Sequence, residues 1–137
     1  MGSLFFLLNL YKRELMDGCE RLLRGKKGEM IAEEYLCSIG LVTLERNWRS
    51  GHKEIDLIMT EKEILHIVEV KSLNFPGLRD PFESVNLKKQ NKIISAARDY
   101  IVRKRVKYEI QFDIVSVFFK GEDFIIEYFP DAFAPRW

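Results

Sequence analysis

The stretch from Gly51 to Ser72, GHKEIDLIMTEKEILHIVEVKS, constrains this chain most. Ile55, Leu57, Ile58, Ile64, Leu65, Ile67, Val68 and Val70 give it the β-branched, apolar character of buried sheet. It reads as two strands joined by a tight turn. Charges are set into that background, Glu54 and Asp56 on the first strand and Glu69 and Lys71 on the second. Strand side chains alternate faces, so each pair shares a face. A turn centred on Glu61-Lys62 sets Thr60 opposite Glu63, Glu54 opposite Glu69 and Asp56 opposite Ile67. Asp56 and Glu69 are then diagonal neighbours on one face, with Lys71 at its end. An odd-numbered loop would separate the carboxylates onto opposite faces.

Carboxylates this close repel when ionised, and burial raises the cost. A divalent cation relieves it. Mg²⁺ prefers hard oxygen ligands and needs only one or two protein carboxylates beside water and phosphate. A neighbouring lysine then suits the placing of an attacking water. The residues alone also allow a solvated strand face with cross-strand Glu–Lys pairs.

Asp56 followed by Glu69-x-Lys71 on the next strand resembles the PD-(D/E)xK nuclease superfamily. The match is closer to the YraN-like family of endonuclease-like proteins, similar in fold to archaeal Holliday junction resolvases. Four blocks carry it in order: GEMIAEEYL, EIDLI with VEVK, VNLKKQNKIISAARDYI, and FDIV. The resemblance covers roughly residues 25–133. It implies an α/β fold of restriction-endonuclease type, a mixed central β-sheet flanked by helices. It implies a Mg²⁺- or Mn²⁺-dependent nuclease acting on DNA, with branched or damaged DNA as candidate substrates. Asp56 and Glu69 would bind metal, with the Val70 carbonyl as a further ligand. Lys71 would position water, Glu29 would support the metal or its water shell, and Glu54 would lend support. In the family the basic helix has the form K-Q-x-K, matched by Lys89, Gln90 and Lys92. These, with Lys88, are candidates for holding phosphate. A non-catalytic nucleic-acid-binding or protein-interaction module on the same fold is the alternative. Lys53, Leu73 and Gln111 depart from the family's usual glycine and arginines, which bears on substrate contacts more than on chemistry.

The chain has 137 residues, 47% hydrophobic and 31% charged, which suits one globular core. Its net charge of +1 does not by itself announce nucleic acid. The distribution says more, since residues 86–107 hold eight basic residues against Asp99 alone. Salt-sensitive DNA binding is expected from Lys88, Lys89, Lys92 and the cluster at 103–107. Cys19 and Cys37 form no ligand pattern and fit reduced thiols in a cytoplasmic protein. The apolar run LFFLLNL at 4–10 is too short to span a bilayer and lacks signal-peptide flanks, so no membrane association is expected.

Residues 1–24 read as an N-terminal helical extension, open to packing, dimer formation or flexibility, ahead of a single domain over 25–137. Gly25 and Gly28 precede a helix expected from Glu29 to Ser38, ended by Gly40. Glu29 in a first turn would also suit the helix dipole, an alternative to its metal role. A first strand is expected over Leu41–Asn47. His52 reads as an exposed loop residue and His66 as a hydrogen-bonded core or edge residue. The Pro- and Gly-rich run 74–81 reads as a loop beside the site. Ser84 is the expected N-cap of a helix of about twenty residues ending near Lys104. Tyr108–Lys120 and Asp123–Phe129 form a closing hairpin around Gly121-Glu122. Asp113 is expected to serve structure, anchoring the basic helix or a backbone amide.

Overall fold

The computed structural model describes residues 21–74 and 85–135. The chain is α/β, a five-stranded mixed sheet flanked by two helices. In chain order the elements are α1 (Arg21–Ser38), β1 (Val42–Ser50), β2 (Lys53–Glu61), β3 (Ile64–Asn74), α2 (Leu87–Lys104), β4 (Glu109–Lys120) and β5 (Asp123–Phe133). The strands lie in sequence order across the sheet. β3 and β4 are parallel, with α2 as the crossover, and the other pairings are antiparallel. The apolar run thus lands at the sheet centre because both of its faces are covered.

Each face carries its own core. Ile31, Ala32 and Leu36 of α1 pack on Leu57, Met59, Val68, Val70, Val115 and Val117. On the other side Ile93, Ile94, Ala96, Ala97 and Tyr100 of α2 pack on Ile55, Ile58, Leu65, Ile67, Phe112 and Ile114. Ile55 and Leu57 lie two residues apart yet face opposite layers. In β1, Arg46 bonds to Glu33 of α1 while Trp48 stacks edge-on against Tyr100 of α2. Both strands therefore roll over between these positions. The residue at the roll in β1 is Asn47, in the left-handed region at φ 49°. Arg46 pairs with Leu57 and Trp48 with Ile55, so Asn47 stands level with Asp56.

Several expectations shift. α1 runs through Gly25 and Gly28 and begins at Arg21, ahead of the expected start at Glu29. Gly28 stays helical because α1 approaches β3 so closely that a Cβ there would collide with Ser72 Oγ. Glu29 consequently sits mid-helix, and the first-turn dipole explanation for it falls. β1 continues past Asn47 to Ser50. The β2–β3 turn is Lys62-Glu63, both at positive φ (48° and 62°), rather than Glu61-Lys62. Two central residues of positive φ match the right-handed strand twist. The N-cap of α2 is Asn86, whose side-chain oxygen accepts from Lys89 N at 2.9 Å. Ser84, the 75–81 part of the expected loop, Cys19 and the 1–20 part of the N-terminal extension lie outside the described residues. β5 extends beyond Phe129 to Phe133 across an irregularity opposite Asp113. Among the described residues, no helix is long and apolar enough to cross a membrane.

Candidate active site

Asp56, Glu69 and Lys71 converge at the point where β2 and β3 part. The ladder between these strands runs from Glu61↔Ile64 to Leu57↔Val68. Continued by one residue, that register sets Asp56, not Glu54, level with Glu69. The two-residue slip from the expected turn is even, so the facing of the residues survives it. Beyond the ladder, Val70 donates its backbone N–H to Asp56 Oδ2 at 2.8 Å. The carboxylate takes the place of a ladder acceptor, and this fixes its other oxygen at the end of the sheet.

Glu29 reaches the same point from α1. Its carboxyl shares a hydrogen bond with Asp56. Burial, and then the Asp56 charge, pushes the Glu29 carboxyl up to about 7. Burial likewise raises Asp56, against the pull of the Val70 N–H and Glu29. Glu69 is buried, and its own burial and the Asp56 charge push it up to about 7. Lys71 Nζ lies 3.5 Å and Lys89 Nζ 3.6 Å from the same Glu69 Oε1. Three carboxyls that resist ionisation thus meet two ammoniums. One further side chain joins them: the Asn47 amide donates to Glu29 at 3.3 Å and to Glu54 Oε1 at 3.2 Å. Glu54 is exposed and also stands 3.8 Å from Arg49.

The donor set fits a hard divalent cation. Among the described residues no three His, Cys, Asp or Glu side chains form a complete ligand group. Mg²⁺ does not require one, since two carboxylates with water and phosphate suffice. Burial, and for Glu69 also the Asp56 charge, holds the Asp56 and Glu69 carboxyls above their ordinary values, and a bound cation would offset both costs.

The expected phosphate residues divide. Lys88 and Lys92 are exposed on α2. Lys89 turns inward to Glu69. Gln90 faces the entrance of its own helix, its Nε2 donating to Val85 O at 3.0 Å. At the far end of α2, Arg103 donates to Ser50 at 3.0 Å and lies 5.5 Å from the Trp48 ring centre. Lys53 bonds Asp99 at 2.7 Å and Ser95 at 2.9 Å, which ties β2 to α2 rather than to the carboxylates. His52 is exposed. His66 is buried and bonds Asp113 at 2.7 Å. Asp113 is fully buried and also accepts from Tyr128 OH at 2.7 Å, Gln111 at 3.0 Å and the Asp131 backbone N–H at 2.9 Å. It closes the β4–β5 irregularity, an anchor for a backbone amide as expected. Burial pushes its carboxyl up, but these four bonds outweigh that and hold it below the ordinary value.

Sequence reasoning missed Asn47. The available signal was an asparagine inside a strand, a residue type that tolerates the left-handed region.

An α/β sheet with a helix on each face and an Asp…Glu-x-Lys set where two central strands part defines the nuclease-like PD-(D/E)xK architecture. The family described as Uncharacterised protein family UPF0102 matches residues 28–117, and the chain belongs to this YraN-like family. A UPF0102 protein of Dictyoglomus turgidum is 42% identical over 112 residues, covering 80% of this chain and 95% of its own. UPF0102 protein FP2501 of Flavobacterium psychrophilum is 37% identical over 109 residues, covering 80% and 92%. The solved structure of Pyrococcus furiosus SfsA in complex with Ca²⁺ aligns at 14% identity and a TM-score of 0.39, over 81% of this chain and 64% of that one, a likeness too loose to argue from.

Proposed function

We propose that this protein is a Mg²⁺- or Mn²⁺-dependent nuclease that hydrolyses phosphodiester bonds in DNA, with branched or damaged DNA as the first substrates to test. One observation carries the reading. Asp56, half-buried, and Glu69, buried, are carboxylates held above their usual ionisation range, and they meet Lys71 where β2 and β3 part. A purely structural ion pair has no use for the excess acid.

Asp56, Glu69 and the Val70 carbonyl would hold the ion. When bound, it supplies charge neutralisation and draws electrons from the phosphoryl group. Lys71, released from part of its attraction to Glu69, orients the attacking water and stabilises charge developing on phosphorus. Glu29, pushed up to about 7, can hold or release a proton near neutral pH beside Asp56. Lys89 balances Glu69 in the free protein and faces substrate phosphate in the complex.

Incubation of purified protein with Mg²⁺ or Mn²⁺ and linear, flapped and four-way DNA tests the reading. Cleavage of any substrate that is lost in Asp56→Asn supports it. Wild-type protein that binds DNA but cuts none of the panel favours the non-catalytic binding module.

A further inference from the structure

The first half of α2 and the start of β2 enclose a groove of about 610 Å³ that the chemistry above does not use. It is lined by Lys53, Leu87, Lys88, Asn91, Lys92 and Ser95. No acid is among these described lining residues. Lys88 and Lys92 are both exposed, and neither has an acidic partner among the described residues. The first turn of α2 holds no acidic residue either, so its N-terminal amides add to the positive field. Lys89, between Lys88 and Lys92, points to Glu69, which sets the groove beside the carboxylate cluster. Asn91 and Ser95 add neutral hydrogen-bonding groups, and Lys53 stands at one wall, fixed by Ser95 and Asp99.

From these features we infer that the groove is a track for the phosphate backbone of a DNA strand on one side of the scissile bond. This rests on the nuclease reading for its ligand class, though not on turnover. From Lys88 to Ser95 the helix rises about 10 Å at ~1.5 Å per residue. Phosphates on one strand of a duplex recur every ~3.4 Å along the axis. The track therefore takes about three successive phosphates. Lysine point charges and neutral side-chain donors position backbone without reading bases, so its binding is insensitive to sequence. Lys53 contributes only in part, because Asp99 already neutralises it at 2.7 Å.

The test is the salt dependence of binding of a fluorescent 20-base-pair duplex to the full chain in EDTA, where no cutting occurs. Lys88→Glu/Lys92→Glu should weaken binding at least tenfold at 100 mM salt and reduce the log–log slope by about two. Lys104→Glu/Lys107→Glu, exposed at the far end of the same helix and just beyond it, should change the slope far less. Asp99→Asn should tighten binding several-fold by freeing the Lys53 charge. Equal losses at the two ends of α2, or no change in Lys88→Glu/Lys92→Glu, overturn the track. Weaker binding in Asp99→Asn removes Lys53 from it. Both double variants alter exposed residues, and a thermal melt confirms that each is folded. A track that passes in a protein that cuts nothing sinks the nuclease reading alone; cutting with an unchanged slope sinks the track alone.

Discussion

Val70 and Asp56 are joined by a backbone-to-carboxylate hydrogen bond of 2.8 Å at the point where the β2–β3 ladder stops. The bond makes Asp56 a strand-pairing group and a site group at once. Asp56→Asn keeps the shape and can still accept from Val70, but it removes one of three crowded acids. Metal-free Asp56→Asn should therefore melt at or above the wild-type temperature while losing the thermal shift produced by Mn²⁺. Lys71→Ala should keep that shift and lose cleavage by about 10²–10³-fold. Thermal melts across a Mn²⁺ titration, paired with cleavage rates, separate the two. An unchanged Mn²⁺ shift in Asp56→Asn rules out its role as ligand.

Stability should depend on pH with an unusual sign. Glu29 and Glu69 have folded values of about 7 against ordinary values of 4.5. Between these limits the native state binds more protons than the unfolded one, so metal-free stability is lost as pH rises from about 4.5 to about 7. A saturating divalent ion needs the ionised carboxylates and should flatten or invert the trend. Melting temperatures at pH 5, 6 and 7.5 with EDTA or Mn²⁺ check it. A metal-free melting temperature that climbs steadily over this range contradicts the crowded-acid site.

Asn47 should act through both its backbone and its amide. Asn47→Ala forces a Cβ without a stabilising side chain into the left-handed region and should cost about 1–2 kcal/mol. Asn47→Gly relaxes the backbone and removes only the amide that bridges Glu29 and Glu54. In urea unfolding at pH 8, Asn47→Gly and Glu29→Gln should be non-additive, since the second removes the charge that the first leaves unbalanced. Strict additivity would show that the amide does not serve Glu29.

Asp113→Asn should be among the most damaging substitutions outside the site. A buried acceptor with four donors becomes a group that is itself partly a donor. Each unsatisfied buried donor costs about 1–3 kcal/mol, so a loss of about 3 kcal/mol or more is expected in urea unfolding. Intact stability would mean that the β4–β5 irregularity closes without it.

The sequence made the central strands legible because a two-sided core demands an unbroken β-branched run, and it made Asp56, Glu69 and Lys71 legible because spacing on strands is rigid. The register was misjudged by two residues because Lys62 and Glu63 adopt positive φ without the Gly or Asn that signals such turns. The start of α1 was hidden because Gly25 and Gly28 read as breakers, whereas Gly28 serves a close helix–sheet approach. That error also lent Glu29 a dipole role it does not have. The rolling of β1 and β2 at Asn47 and Asp56 breaks strict alternation, and no periodicity count detects such a switch. Lys89 and Gln90 were grouped by motif, but neighbouring helix positions point about 100° apart, toward different partners.

Gly28 acts as a spacer gauge for its neighbour. Glu29 touches Asp56 only because α1 seats directly on β3 one residue earlier. A methyl group at 28 would meet Ser72 Oγ, and even with that hydroxyl turned away Ser72 Cβ stands 3.2 Å off. Gly28→Ala would wedge the helix outward and withdraw Glu29 while leaving every charged residue of the cluster in the chain. The chemistry proposed for this site would therefore be silenced by a change that a scan of acidic and basic positions never visits.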